Sequence, residues 1–502
     1  MTIPHPNTID VRSATTVAVA WTDPVYPRGA PFHPALAYPE YTGPISGEPN
    51  GVYDAVRCAL RDLGLDREHF GTPEWNPIGA LVPPGARIVI KPNWVLHENE
   101  GPGGRDCLYT HASVVRPIID YALKARPSLL VIGDAPVQVC NLPALLTAGF
   151  NDLFAYFHSL GAPIAVKDFR RTVSERQPGA LAVSDNQKPL SDYVLVDLAG
   201  QSLVEPISSD AEKFRVTMYD PDALQHNHAP GRHRYLVARD ILEADLVINV
   251  PKLKTHMKAG VTLALKNLVG INGSKEFLPH HRKGAANRGG DNYEKSTIPK
   301  RLLENILDLL NRHLDKPRLY GRGARLAYKL LYFDKIRGKP INVEGGWHGN
   351  DTVWRMCLDL NKILLFADTN GALHTTPQRV TLHLTDGVIA GDGEGPLRPD
   401  PVPFGGIIAS LNPAAHDWVI TDLMGLRPEA IPITNIAFDA RHSGLTLFHP
   451  SEISITHDQQ SVSIEHVARQ HPFAFTPAMG WQGACEKAPV PHQSKASPPC
   501  VE

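Results

Sequence analysis

The sequence predicts an α/β fold built on a mainly parallel sheet with flanking helices. A strand pattern at 87–91, a helical pattern at 113–125 and a second strand pattern at 129–132 form one β-α-β unit. Such a unit holds two parallel strands joined by a right-handed crossover. A further apolar run, Leu246–Val250, is typical of a strand buried on both faces of a parallel sheet. Together these observations favour a sheet that helices cover.

The other elements follow in chain order. Residues 1–80 are rich in Pro, Tyr and Gly and predict an extended arm or cap with one helix at 51–65. The α/β core spans 81–430 and includes a helix at 352–366 and strands at 379–384 and 404–411. Residues 431–478 extend this core. The Pro/Ser-rich stretch 479–502 predicts a disordered tail, so both termini are expected to be poor in regular structure.

A basic helical insertion is predicted at about 299–340, with helices at 298–314 and 322–333. The span 299–339 holds eleven Lys/Arg residues against four Asp/Glu residues. Basic helices can contact membranes or nucleic acids, whereas the solvated face of an inserted subdomain has the same composition. The second interpretation is preferred.

Composition narrows the class of protein. Apolar residues make up 42% and charged residues 20% of 502 residues, which are globular values. The net charge of −2 gives no argument for a nucleic-acid partner or an anionic membrane. No apolar run approaches the ~20 residues of a membrane span, and the N-terminus lacks a signal-peptide pattern. We therefore expect a cytoplasmic protein, of undetermined oligomeric state.

Six cysteines are scattered along the chain, and no CxxC pair occurs. This spacing argues against a zinc ribbon, a thioredoxin motif and a cysteine-bound metal cluster. No iron–sulfur cluster is expected, and reduced thiols are the simplest interpretation.

The most informative stretch is 245–281, where a buried strand runs directly into a group of cations. Lysine is an effective point-charge binder of phosphate, and strand ends of open α/β sheets commonly hold ligands. Small residues near Asn267 would let a ligand approach the backbone. A solvated basic loop is the alternative interpretation. The cations are Lys252, Lys254, His256, Lys258 and Lys266.

This stretch resembles the signature of the domain-of-unknown-function 362 family (DUF362). The signature reads LVINVPKLKTH followed by LALKNLVGING, and further family-like pieces lie at 88–95, 131–136, 384–396, 405–410 and 422–426. The resemblance covers roughly 87–426. Many family members carry ferredoxin-type cysteine clusters, which this sequence lacks, so it resembles a subgroup without them. The resemblance implies no particular reaction.

Four predicted strand ends carry polar residues that one crevice could bring together. Lysine and amide groups follow two of the strands, and an aspartate follows each of the other two. Carboxylates among lysines in a cleft suggest a metal–phosphate site or an acid/base pair, although a single strand-end aspartate is as often a cap. The residues are Lys91, Asn93, Asp134, Lys252, Lys254, His256 and Asp386.

Two further segments could contribute to a site. The segment 391–396 predicts a flexible loop in which Gly393 and Gly395 allow a ligand to approach, but it is neither a Walker loop nor a dinucleotide motif. In 345–355, Asp351 could cap the following helix, and Arg355 could bind a carboxylate or phosphate beside tryptophan rings. Tryptophans packed in the core are the alternative.

Divalent-metal ligands are a third possibility. Asp134 and Glu394 could supply oxygen ligands, and His280 a nitrogen ligand. A histidine that is hydrogen-bonded to the backbone is the alternative interpretation of His280. The cofactor is otherwise undetermined.

The leading hypothesis is an enzyme that acts on a small anionic metabolite, phosphorylated or carboxylated, sugars included. One alternative is a non-catalytic binder of such an anion, and another is an iron–sulfur-related redox or metal-delivery protein. The reaction type stays open. In the enzyme, His256 would be the general acid/base, together with Lys254 and Asp386. Ligand binding would use Lys91, Asn93, Lys252, Lys266, Asn267, Gly393, Gly395 and Arg355, and a metal would use Asp134, Glu394 and His280.

Overall fold

The structure is a computed structural model that describes residues 9–177, 180–183, 187–217, 219–313, 344–439 and 443–488. The strands are β1 (Thr16–Trp21), β2 (Arg87–Pro92), β3 (Leu129–Asp134), β4 (Ile164–Asp168), β5 (Ser174–Gln177), β6 (Ala180–Val183), β7 (Tyr193–Asp197), β8 (Phe214–Arg215), β9 (His228–Ala229), β10 (Arg232–Ala238), β11 (Leu246–Val250), β12 (Lys252–His256), β13 (Gly260–Thr262), β14 (His281–Arg282), β15 (Val380–Glu394), β16 (Arg398–Val402), β17 (Gly406–Ser410), β18 (Ser454–His457) and β19 (Gln460–Val462). The helices are α1 (Gly51–Asp62), α2 (Ala112–Lys124), α3 (Leu142–Leu146), α4 (Phe150–Ser159), α5 (Arg239–Leu242), α6 (Ala264–Asn267), α7 (Ile298–Asn311), α8 (Val353–Phe366), α9 (Pro413–Leu423), α10 (Pro432–Ile436) and α11 (Ile464–Gln470).

A 12-stranded sheet forms the centre of the fold, with the path β19-β18-β1-β17-β15-β11-β2-β3-β4 and with β12, β13 and β16 beside it. The stretch β15-β11-β2-β3-β4 is parallel throughout. Antiparallel pairs join this stretch through β16 and β17. The mainly parallel α/β fold with flanking helices that the sequence predicts is confirmed.

The central strands form where the sequence has short runs of mainly apolar residues. All five residues of β11 are buried, and Leu246 lies opposite Ile88 of β2 and Val380 of β15. Side chains on both faces of such a strand need cover, because alternate residues point to opposite sides. Helix α1 packs against α2 and β1, while α6 packs against α8 and α9.

A proline separates two consecutive strands that both run alongside β15. β11 ends at Val250, Pro251 follows, and β12 continues alongside the second half of β15. The register of β12 against β15 shifts between Lys252 and Lys254. Proline cannot donate a ladder hydrogen bond, so it is suited to such a break. The cationic signature therefore lies partly on a strand rather than on a loop.

The glycine-rich segment predicted as a flexible loop instead belongs to a hairpin, in which 391–394 end β15 and Gly395 and Pro396 lie in the turn, so that prediction is wrong. Gly391 pairs with Pro401 and Glu394 with Arg398 in a hairpin with β16. The glycines serve close backbone approach within the protein, since a Cβ on Gly395 would lie 2.0 Å from the Thr255 carbonyl oxygen.

The central sheet crosses the predicted segment boundaries. β1 comes from the predicted arm 1–80, and β18 and β19 come from the extension 431–478. The segment boundaries themselves stay a prediction. The predicted helix at 322–333, most of the basic insertion 299–340 and most of the tail 479–502 lie outside the described residues. Within the described part of the chain, no helix combines the length and apolar character that crossing a bilayer requires.

Candidate functional site

A cavity of about 410 Å³ opens beyond the carboxyl ends of β2, β3 and β12. Its walls come from 93–96 after β2, from 134–139 after β3 and from residues between 256 and 280. Open α/β sheets bind their ligands at this end of their strands, and the volume lies within the range of small-molecule pockets. The geometry therefore marks this cavity as the candidate site.

Three lysines give the cavity its positive charge. Lys258, Lys266 and Lys275 line it, and none of them forms an ion pair with a carboxylate within the described stretches. Lys258 is only 7% exposed, and its Nζ donates to Thr217 Oγ1 at 2.9 Å. Buried charges in proteins are normally paired. Three lysines without a paired carboxylate around one cavity are therefore suited to binding an anion.

The lysine charges interact with one another and with their buried surroundings. Burial lowers the pKa of Lys258, and the neighbouring Lys266 lowers it further, while Glu344 on the cavity wall opposes the shift. Burial also lowers the pKa of Lys266. The pKa of Lys275 falls to about 8, because burial and the charge of Lys258 both disfavour its protonated form. Burial is the main cause of all three shifts, and it disfavours the charged form of each lysine.

Asp134 also lines the cavity, but the protein already neutralises its charge. Its Oδ1 lies 2.8 Å from Lys91 Nζ, and it accepts hydrogen bonds from the backbone of Trp94 and Ala135. Gly270 packs directly on this pair, since a Cβ there would lie 1.8 Å from Asp134 Oδ1. Lys91 and Asp134 thus hold the ends of β2 and β3 together rather than presenting free charge.

A chain of amide groups crosses the inner end of the cavity. Asn93 Nδ2 donates to Asn267 Oδ1 at 2.9 Å, and Asn267 Nδ2 donates to Asn249 Oδ1 at 2.8 Å. Asn249 in turn contacts His383 Nδ1 at 3.1 Å. The chain connects β2, α6, β11 and β15, so it fixes the position of α6 and of Lys266 on it.

The two histidines of the cavity wall have opposite tautomers. His256 Nδ1 accepts from the backbone N–H groups of Lys258 and Ala259 at 3.0 and 3.2 Å, which leaves the proton on Nε2. His280 Nδ1 lies 2.8 Å from the Leu278 carbonyl oxygen, so it carries the proton and Nε2 keeps a lone pair. Burial and the nearby lysines lower the pKa of both histidines well below 6.5. His256 is therefore a neutral hydrogen-bond donor, which argues against the predicted general acid/base role.

A second cluster, separate from the cavity, holds other residues that were predicted to share the crevice. Lys252 Nζ lies 3.1 Å from Asp386 Oδ2 and donates to Tyr26 OH at 2.5 Å. Tyr26 donates to Asp386 Oδ1 at 2.6 Å, and its ring stacks on His111 at 4.0 Å. All polar groups here satisfy one another. We call this set the Lys252–Asp386 cluster.

Lys254 also points away from the cavity. Its Nζ donates to the Leu108 carbonyl oxygen, and burial together with the charge of Lys252 lowers its pKa to about 7. The single predicted crevice is thus divided between two places in the fold. Asn93, Asp134 and His256 line the cavity, whereas Lys252, Lys254 and Asp386 do not.

A comparison with known protein families gives a match over the stretch that contains the cationic signature. Residues 201–422 match the family model described as a domain of unknown function, DUF362. This stretch of the chain is similar to DUF362. This match includes β11, β12, α6 and all three cavity lysines.

Two individual proteins are similar to parts of the chain. The thylakoid-associated protein sll1697 of Synechocystis sp. (strain ATCC 27184 / PCC 6803 / Kazusa) is 23% identical over 261 residues, which are 50% of this chain and 55% of that protein. The chain thus spans about half of that relative's length. A crystal structure of a protein from Thermotoga maritima covers 71% of this chain and 54% of its own, at 10% identity and a TM-score of 0.26. A likeness this distant carries no argument.

Four further predicted site residues lie outside the cavity. Gly393 and Gly395 belong to the β15–β16 hairpin region, and Glu394 accepts from the Met479 backbone N–H at 2.7 Å. Arg355 binds Asp351 at 3.0 Å and the Leu203 carbonyl oxygen at 2.9 Å, so its guanidinium is already occupied.

The predicted helix cap is also corrected. Asn350 Oδ1, and not Asp351, accepts from the first backbone N–H groups of α8, those of Thr352 and Val353, at 3.0 Å each. Trp347 and Trp354 are buried, as in the alternative interpretation of this segment.

The predicted metal ligands are not brought together as one ligand set. Asp134 is bound to Lys91, and Glu394 to the Met479 backbone. Across the described residues, one group of three His, Cys, Asp or Glu ligand atoms falls within 4.8 Å, and it consists of Asp62, His457 and Asp458 at the opposite edge of the sheet. The donor atoms around the cavity therefore do not fit a divalent ion held by the predicted set.

Sequence reasoning missed several residues of the cavity wall. Lys258 and Lys275 were visible in the signature, and Lys258 follows His256 by two positions, but nothing local distinguishes them from Lys252. Arg170 lines the cavity too, with its guanidinium held by Asp168 at 2.6 Å.

Proposed function

We propose that this protein binds a small anionic metabolite, phosphorylated or carboxylated, in the lysine cavity. The observation that carries this proposal is the imbalance of charge around the cavity. Asp134 is offset by Lys91 and Arg170 by Asp168. Three lysines then remain against the single carboxylate of Glu344.

A bound anion would remove the cost of this arrangement. The lowered pKa values of Lys258, Lys266 and Lys275 show that the protein holds these charges at an energetic disadvantage. The Nε2–H group of His256 adds a neutral donor, and the amide chain ending at Asn93 keeps the wall rigid. Preorganised donors and cations of this kind bind an anion without large rearrangement.

Catalysis on the bound anion is the second candidate function. The observation in its favour is the lone pair on Nε2 of His280, which lines the cavity and can accept a proton. His280, rather than the predicted His256, would then be the general base. If the protein is an enzyme, His280→Ala should abolish consumption of a metabolite from an extract, followed by mass spectrometry, while His256→Ala only weakens binding.

Binding of inorganic phosphate and of citrate, measured by isothermal titration calorimetry at low ionic strength, tests the primary proposal. We expect Lys258→Met and Lys266→Met each to weaken binding by about 10- to 100-fold, the value of a charge-assisted hydrogen bond. Lys295→Met is the matched control, because the Lys295 side chain is 85% exposed and remote from the cavity wall. Equal affinity in all four proteins, or no binding at all, would contradict the proposal.

The cellular location stays part of the proposal. We place the protein in the cytoplasm, with no nucleic-acid partner. The thylakoid association in the relative's name belongs to that relative.

A further inference from the structure

We infer that the ligand of the lysine cavity is an amphipathic anion, with a charged head against the lysines and an apolar body against the facing wall. This inference rests on the proposed anion-binding function and adds the class of ligand. It follows from how polar and apolar groups are distributed between the two walls.

The three cavity lysines and both cavity histidines come from one stretch of chain, whereas the charge of Arg170 is offset by Asp168. Lys258, Lys266, Lys275, His256 and His280 lie between 256 and 280. A phosphate or carboxylate head is drawn to that wall because its lysines are not paired with carboxylates in the described stretches and its histidines are neutral. The head is therefore fixed at one side of the cavity.

The facing wall follows β2, β3 and the β15–β16 hairpin, and it is mainly apolar. Val95, Val137, Val139 and Leu397 line the cavity and are only partly buried, so part of each side chain stays accessible. Met257 and Val269 extend this surface toward the lysines. Apolar surface left open within a pocket is the usual contact for an apolar ligand group.

Polar side chains on the wall offer little to a sugar ring. Gln138 Nε2 donates to Thr172 Oγ1, and its Oε1 is buried away from the cavity surface without a partner among the described residues. Asn272 is engaged by the Leu236 N–H and the Ser274 carbonyl oxygen, and Ser274 Oγ is likewise fully buried. Because these buried atoms are not exposed to the cavity, hydroxyl groups of a sugar would lose water here and gain few partners, which is unfavourable. An aromatic or aliphatic body fits better than the sugar included in the sequence-based hypothesis.

Matched pairs of probes test this inference by calorimetry under one buffer condition. Phenyl phosphate is compared with glucose 6-phosphate, and phenylacetate with gluconate, so that head and body vary separately. We expect the apolar-bodied probe to bind at least ~10-fold more tightly within the pair whose head the site accepts. The phosphate pair and the carboxylate pair together show which head is preferred.

Variants separate the two walls. Val137→Thr keeps the side-chain shape and adds a hydroxyl, so it should reduce the preference for the apolar-bodied probe by ~3-fold or more. Val25→Thr is its control, because Val25 is 68% exposed and lies outside the cavity. Lys266→Met should weaken both members of a pair equally.

The outcomes distinguish this inference from the function on which it rests. If glucose 6-phosphate and gluconate bind as tightly as their partners, and all depend on Lys266, the amphipathic class is wrong while anion binding stands. If no probe binds, or if Lys258→Met and Lys266→Met leave binding unchanged, then the amphipathic class and the anion-binding function are both wrong.

Discussion

The backbone N–H of Lys258 donates to Nδ1 of His256 at 3.0 Å. This contact, two residues along the chain, places the proton of the His256 ring on Nε2. Protonation of His256 would place a second proton against that N–H and is disfavoured. We therefore expect His256→Ala to weaken anion binding about 10-fold through the lost Nε2–H donor, and His256→Gln to retain part of it. Calorimetry from pH 5.5 to 7.5 should show no step from His256. An affinity that rises as pH falls through 6.5, and that is lost in His256→Gln, would contradict this assignment.

Anion affinity should fall as pH rises from 7 to 9. The pKa of Lys275 is lowered to about 8, so this lysine is charged below pH 8 and loses its charge above it. A bound anion favours the charged form, and binding at pH 8.5 should therefore take up protons. Calorimetry in two buffers of different ionisation enthalpy measures this uptake. Lys275→Met should reduce the uptake and flatten the pH profile, whereas Lys295→Met should leave both unchanged. A wild-type affinity independent of pH would refute the prediction.

The Lys252–Asp386 cluster should matter for stability rather than for anion binding. Both side chains are fully buried, and removal of one partner leaves an unpaired charge. Asp386→Ala should lower the free energy of unfolding by about 3–5 kcal/mol, measured by urea denaturation. The double variant Lys252→Met/Asp386→Ala should lose less than the sum of the two single variants. A loss below ~1 kcal/mol for Asp386→Ala would show that the cluster does not hold the sheet.

Gly270 should tolerate no side chain. A Cβ there would lie 1.8 Å from Asp134 Oδ1 and 2.8 Å from Lys91 Nζ, so Gly270→Ala must displace this pair. We expect a loss of about 2–4 kcal/mol in the free energy of unfolding. Gly200→Ala is the control, since a Cβ at Gly200 meets nothing within 4 Å and should change stability by under ~0.5 kcal/mol. Equal stability of the two variants would rule out the close contact.

Much of the central sheet could be predicted from the sequence, because its central strands are runs of mainly apolar residues. β11 was predicted with the observed bounds, and the four strands expected side by side do follow the order β15-β11-β2-β3. The hairpin of β15 was missed, because alternating glycines are equally typical of a flexible loop. The difference between a hairpin and a flexible loop lies in a contact with another part of the sequence, because the carbonyl oxygen of Thr255 packs against Gly395.

The candidate site was harder to predict, because the role of each lysine depends on carboxylates far away in the chain. Lys252 is neutralised by Asp386, which is separated from it by 134 residues, whereas Lys258 has only a hydroxyl partner. Local sequence does not show this difference. His256 also lies four residues beyond Lys252, roughly 13 Å along a strand, so both could not serve one small ligand.

Part of the cavity lining comes from outside the stretch 201–422 that matches DUF362. All three lysines lie within that stretch, as do Met257, Val269 and Leu397 of the apolar lining, while 94–96 and 135–139 lie before it. The lysines within the matched stretch and the lining residues that precede it can thus change independently of each other. A protein that keeps the lysines and alters the residues before the matched stretch would still favour anions, but it would bind a different compound. Similarity to DUF362 therefore does not fix a shared ligand.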